Sequence, residues 1–317
     1  MSPENQDGDG GLAPYFFEPP PPYKPPKRRL WLHIMLLLAT LFTTTLVGAH
    51  MQYNFGHNLP FFDIDRVTDV FTVGLQSPAL FIAGLPFSLT LLTILMAHEL
   101  GHYLACVYYG VDATLPFFLP SPMPVTGTFG AFIRIRSAIH SKRILFDIGI
   151  AGPIAGFIFL VPALGVGLAF SKVLPGINHQ GTIQLGVPAL EWLAQKLIFP
   201  GVATSDIYLH PVARAAWVGM FATALNLLPV GQLDGGHVVY ALLGRSQKWI
   251  TNVFLVALLP MGRLWSGWWF WAVMLFFFAR NHPPLYDHSE IGVSRVKLGV
   301  VAFCIFLLCF TIAPINQ

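Results

Sequence analysis

Segments of about 20 nearly uncharged residues recur along this 317-residue chain. Lipid leaves such a segment one conformation, because only a helix satisfies its own backbone N–H and C=O groups there. The clearest runs from Leu30 to about Gly48, directly after Lys24, Lys27, Arg28 and Arg29. Basic residues are retained on the cytoplasmic side, so the N-terminus is expected inside. A second span enters from the outer side near Pro78, or near Ser88 if Pro86 breaks it, and continues to Tyr109. A third covers Ile144 to about Phe170, and a fourth Val212 to Leu228, stopping at Pro229. Pro260, Gly262 and Arg263 interrupt the run from Trp249 to Ala279, which predicts a fifth and sixth span as a hairpin, and Val296 to Ile312 forms the last. This threading puts 13 Lys/Arg inside and five outside. Charged residues make up only 10% of the chain, against about 25% in soluble domains. The expected fold is an all-α polytopic membrane protein of about six or seven transmembrane helices, with a disordered cytoplasmic tail over 1–29 and one membrane-embedded domain over 30–317.

His98-Glu99-Leu100-Gly101-His102 lies inside the second span. Ionisable groups in a bilayer are costly and mark function by default. On a helix, residues i and i+4 project from one face, so both imidazoles can ligate one metal ion while Glu99 lies about 100° around the axis. That is the H-E-x-x-H geometry of zinc metalloproteases. With 11 His and five Glu in 317 residues, chance gives roughly 0.006 such pentapeptides. The other reading, helix-end residues satisfied by their neighbours, does not account for the apolar flanks.

A catalytic zinc commonly takes three protein ligands and keeps one position open. The best third candidate is Asp234, in Asn226-Leu-Leu-Pro229-Val-Gly-Gln232-Leu-Asp234-Gly235-Gly236, where a helix arriving from outside breaks at proline at the depth the histidines reach. Its competing role is an N-cap for the segment His237 to Leu243. Asp147 is the rival carboxylate, but a surface ion pair with neighbouring Lys142 or Arg143 explains it better. Pro116, Pro120, Pro122 and Pro124 precede an alternating stretch, Gly127 to Arg136, that reads as a small β-hairpin. It is either re-entrant and packed against the metal site or a cytoplasmic loop with a short strand. Gly152 and Gly156 are spaced for close helix packing in the third span.

Taken together, H-E-L-G-H on one span and N-x-x-P-x-x-x-L-D-G on a later one resemble the site-2 protease family of intramembrane zinc metalloproteases, over about residues 80 to 245. The G-x-F-G strand and the L-P-V-G-Q-L-D-G-G wording are most similar to its PDZ-less branch of plant chloroplast greening-related proteins and bacterial relatives. The resemblance implies one zinc held by His98, His102 and Asp234, Glu99 as catalytic base, and Asn226 holding the substrate or the developing oxyanion. It also implies substrate contact by Gly127, Phe129 and Gly130. A transmembrane protein substrate hydrolysed in or near its span, within a bacterial inner membrane and toward the cytoplasmic side, follows from it.

Two other classes stay open on the sequence: a zinc or cation transporter, which leaves Glu99 without a role, and a catalytically idle membrane adaptor. The net charge of +3 is small and its basic residues flank apolar runs, so no nucleic-acid partner is expected. Cys106, Cys304 and Cys309 sit in apolar runs without metal-type spacing and predict no disulfide. His140, His237 and His282 fall at span ends or loops, where capping or interfacial roles suffice. His237, three residues past Asp234, is also within reach of supporting it.

Overall fold

The apolar runs fold as helices in the computed structural model, which describes residues 29–63, 67–181, 183–278, 285, 287 and 289–316. The tail over 1–28 and His282 lie outside the described residues. Three helical segments there are long and apolar enough to cross a bilayer. Helix α1 (Leu30–His57) has 28 residues and runs nine beyond the expected end at Gly48. A short α2 (Asp69–Thr72) follows. The second span covers Pro78–Tyr108 as two successive helices, α3 (Pro78–Ala83) and α4 (Leu85–Tyr108), which part at Gly84. Pro86 stands in the first turn of α4, where its missing N–H has no partner to lose, so the span resumes at once instead of starting near Ser88. The third span is α5 (Lys142–Ala169).

Shorter helices complete the molecule: α6 (Ala189–Ile198), α7 (Pro211–Asn226), α8 (Asp234–Leu243), α9 (Gln247–Met261), α10 (Gly267–Phe278) and α11 (Val293–Cys309). At 1.5 Å per residue, the 15 residues of α9 and the 12 of α10 fall short of the roughly 20 that a perpendicular crossing needs. They form the expected hairpin around Pro260 and Gly262 and bury Trp268 to 1% exposure among Leu225, Leu228, Leu258 and Leu275.

Hydroxyl-bearing residues make α1 compatible with an apolar setting. Thr40, Thr44 and Thr45 each donate to the carbonyl four residues back, so no hydroxyl faces lipid unpaired. Thr44 and Ser88 share a 2.5 Å hydrogen bond that ties α1 to α4.

The hairpin is present. Strand β1 (Phe117–Pro120) pairs antiparallel with β2 (Thr128–Phe132), and the register slips between Leu119 and Pro120, leaving Phe129 as the extra residue of a bulge. The ordered strand therefore stops at Phe132, short of Arg136, because only an isolated bridge, Ala113 to Ile135, continues the pairing. Thr43 donates to the Gly127 carbonyl at 2.7 Å, and His33 meets the Pro116 carbonyl at 3.0 Å. Thr43 is 13 residues into α1, or about 20 Å along it, so the hairpin docks at the depth of an apolar helix.

On the other side, residues 171–210 fold into a cap. Strand β3 (Lys172–Val173) pairs with β5 (Ile207–Tyr208), bringing the two ends of this region together, and β4 (Gln184–Leu185) pairs with β6 (Ile315–Asn316), which ties the cap to the segment after α11. Trp217 of α7 donates to the Gly186 carbonyl at 2.7 Å and fixes the cap to the helices beneath.

Candidate metal centre

Helical periodicity sets His98 and His102 on one face of α4, and their Nε2 atoms are 3.1 Å apart. Asp234, the first residue of α8, brings Oδ2 to 3.1 Å from His98 Nε2 and 3.3 Å from His102 Nε2. The three candidate ligand atoms lie within 4.8 Å of one another, and among the described residues this is the one such cluster of metal-ligating side chains. Ligands about 2.0–2.1 Å from a tetrahedral zinc stand about 3.3 Å apart, so this donor set fits zinc in type and in spacing. Asp234 is not an N-cap: that position is Leu233, no side chain caps the helix, and the carboxylate turns to the imidazoles.

Close helix approach builds the site. A Cβ on Gly152 of α5 would sit 2.1 Å from His102 Nε2, and one on Gly101 of α4 would sit 2.5 Å from the Ala151 carbonyl. Only residues without a side chain let α5 press against the metal face, which gives the Gly152/Gly156 spacing its purpose. Closeness also fixes the ring. His102 Nδ1 donates to the Ile148 carbonyl at 2.7 Å, and because a carbonyl can only accept, Nδ1 carries the proton and Nε2 keeps its lone pair for a cation.

Asp234 is delivered by the loop that follows α7. Thr251 of α9 donates to the Pro229 carbonyl at 3.0 Å and itself receives Gln247 Nε2 at 2.9 Å, anchoring that loop from outside the motif. A Cβ on Gly235 would fall 2.0 Å from the Leu227 carbonyl, so the loop can fold this tightly only over glycine.

A family model described as Peptidase family M50 matches residues 86–262, which hold every element just described. The chain belongs to this family. It is the site-2 protease family whose motifs the sequence resembles. Among curated relatives of this M50 chain, the chloroplastic "Probable zinc metalloprotease EGY1" of Oryza sativa subsp. japonica is 31% identical over 245 residues, covering 74% of this chain and 41% of that protein. The chloroplastic "Probable zinc metalloprotease EGY2" of Arabidopsis thaliana is 31% identical over 240 residues, covering 71% and 41%. The chloroplastic "Probable zinc metallopeptidase EGY3" of Arabidopsis thaliana is 29% identical over 245 residues, covering 69% and 40%. The M50 chain thus spans about two fifths of the length of the relatives it matches.

Glu99 and Asn226 stand beside the three ligand candidates, whereas Gly127 packs on Thr43 of α1. Glu99 is 5% exposed, with the backbone of Ile133, the residue immediately after β2, beside its carboxylate. The hairpin therefore ends on the H-E-x-x-H face. Asn226, the last residue of α7, places Nδ2 3.2 Å from His98 Nε2. Gly127 and Gly130 have φ of +68° and +103°, and Phe129 projects outward at 65% exposure.

One pairing differs from expectation. Asp147 bonds neither Lys142 nor Arg143; it forms a 2.6 Å ion pair with Arg295 of α11 and accepts the Tyr109 hydroxyl at 2.5 Å. The Lys142 backbone N–H donates to Asp287 Oδ2 and Arg143 Nε donates to the Glu290 carbonyl, each at 2.8 Å. Arg295 is 148 residues away in sequence, beyond what local spacing can reveal. Sequence reading also passed over Ile148, Gln247 and Thr251, whose supporting contacts use a backbone carbonyl or common polar groups and carry no motif. All three cysteines are free; Cys106 and Cys309 are buried and Cys304 is exposed.

Proposed function

We propose that this chain is a zinc-dependent intramembrane endopeptidase, with His98, His102 and Asp234 holding one zinc and Glu99 serving as general base. The observation that carries it is the closure of two imidazoles and a distant carboxylate to 3.1–3.3 Å on one side of the buried Glu99. The relatives' names, which describe zinc metalloproteases, agree. When bound, zinc would polarise the scissile carbonyl and lower the pKa of a water toward about 7.

Glu99 takes the proton from the attacking water and passes it to the leaving amine, a transfer general-base catalysis requires within hydrogen-bond reach. Asn226 Nδ2, beside His98, is aimed at the same space and steadies the substrate carbonyl as charge develops on it. Peptide bonds inside a transmembrane helix are shielded by their own hydrogen bonds, so the substrate must unwind first. The β1–β2 hairpin supports that step: β2 leads directly to Glu99 and can hold an extended chain by edge pairing, with Gly127, Phe129 and Gly130 at the contact. The substrate class is therefore a membrane protein cut within or near a transmembrane segment.

Orientation is part of the proposal. Ile148, whose carbonyl holds His102, is six residues, or about 9 Å, from the basic start of α5 at Lys142 and Arg143, and Arg295 joins that end. Basic residues at this end favour the cytoplasmic face of a bacterial inner membrane, with seven crossings if α7, α9, α10 and α11 also traverse and six if one of them does not.

The test is a pair of purified variants incubated with single-span substrates. Glu99→Gln is expected to keep its zinc and lose cleavage, while Asp234→Ala loses both. Full activity in Glu99→Gln refutes the base assignment, and zinc flux in proteoliposomes without peptidase activity would replace the reading with transport.

A further inference from the structure

A second polar site lies at the far end of α7, some 12 residues or about 18 Å from Asn226. There the cap over residues 171–210 encloses a cavity of about 300 Å³. Glu191 and Gln195, one turn apart on α6, and Arg214 on the first turns of α7 all line it, at 2%, 2% and 5% exposure. Charged and amide groups so deeply buried are normally satisfied by partners. Here Gln195 Nε2 donates to Glu191 Oε1 at 2.7 Å, but among the described residues Glu191 Oε2, Gln195 Oε1 and Arg214 Nη2 each lack a hydrogen-bond partner. Arg214 is held in place even so, its guanidinium stacked 3.8 Å over the Phe61 ring with Tyr208 at 5.4 Å. The site is thus polar and, among the described residues, incomplete.

The unsatisfied atoms define their complement. Two acceptors and one cationic donor call for a ligand that offers several N–H donors next to a carboxylate. We propose that this cavity binds a small zwitterion of the α-amino-acid type, carboxylate on Arg214 and ammonium between Glu191 and Gln195. Ile177, Ile183 and Leu185 also line the cavity and give an apolar side chain its wall. The volume stands at the small end of ligand pockets, which suits a single apolar amino acid or the end of a short peptide. Binding here is independent of the metal centre and of the protease reading.

Isothermal titration of leucine into the purified full chain in lipid nanodiscs tests this. Leucine is expected to saturate one site per chain. 4-Methylpentanoate, which lacks the ammonium, and 3-methylbutylamine, which lacks the carboxylate, should each bind at least about tenfold more weakly to the unaltered protein, a loss of about 1.4 kcal/mol. Glu191→Gln keeps the acceptor toward Gln195 and should weaken leucine about tenfold while leaving 4-methylpentanoate nearly unchanged, with zinc content as its check on folding. Tighter binding of leucyl-leucine than of leucine identifies a peptide end as the source, and the reverse identifies a free amino acid. No saturable binding of either by the unaltered protein up to about 10 mM, or leucine affinity insensitive to both half-ligand comparison and Glu191→Gln, overturns the proposal.

Discussion

Replacing Gly152 with alanine adds one methyl group to α5 and aims it at a candidate metal ligand. The new Cβ would lie 2.1 Å from His102 Nε2, 2.4 Å from Cδ2 and 2.5 Å from Cε1. Non-bonded carbon contacts settle near 3.5 Å, so the ring must retreat by about 1.4 Å or the helices must part. Neither is compatible with the site. Metal–ligand distances tolerate shifts of about 0.2 Å, and withdrawal of the ring also strains its 2.7 Å bond to the Ile148 carbonyl. Parting the helices is resisted at Gly101, which already sits against the Ala151 backbone. Disturbing a residue that only orients a ligand costs about 10–100-fold in metal affinity, so displacing the ligand should cost at least about 100-fold. Gly165→Ala on the same helix is the control, because a Cβ there meets nothing within 4 Å and gains the same helix propensity, about 1 kcal/mol. Gly156→Ala should fall between, its Cβ 3.2 Å from that of His98. Zinc content after graded chelator challenge would read the series. Unaltered zinc affinity in Gly152→Ala, with Gly165→Ala as reference, would show that α5 does not press on the metal face and would remove the packing argument.

Two further outcomes are expected. Gly127→Val places a side chain 2.8 Å from the Thr43 carbonyl at a φ that disfavours it, so the hairpin should leave α1 and cleavage should drop about tenfold or more with zinc content unchanged; an unchanged rate would put the hairpin away from the substrate. Burial pushes the Glu191 carboxyl up to about 8, against the pull of Arg214, so between about pH 5 and 8 the unliganded folded chain keeps a proton that the unfolded chain releases, and an ammonium bound between Glu191 and Gln195 would displace that proton. Stability should therefore fall as pH rises through that window, by up to about 1.4 kcal/mol per unit, and Glu191→Gln should remove the slope. A melting-temperature difference between the two proteins that stays flat from pH 5 to 8 would contradict this.

Much of the fold was legible because lipid narrows the choices. Leu30, Lys142 and Pro211 begin helices within two residues of where charge and proline placed them, and Pro260 and Gly262 do divide the α9–α10 hairpin. Less legible were ends without a breaker: nothing in Ala49 to His57 marks the continuation of α1, whose Asn54, Met51 and Phe55 are buried by tertiary contacts. The partner strand Phe117–Pro120 was hidden among prolines, which normally argue against a strand.

The site divides along the same line. A four-residue interval on a helix is enough to put His98 and His102 on one face, and the expense of charge in lipid is enough to make Glu99 and Asp234 meaningful, so residue identity and depth came from the chain alone. Whether Asp234 capped its own helix or crossed 136 residues to meet His98 was a matter of three helices packing. Packing also chose Arg295 for Asp147 and the Ile148 carbonyl for His102. Periodicity acts within one helix and is written in local order; contacts between helices depend on how closely their backbones approach, which small residues permit but only the assembled bundle determines.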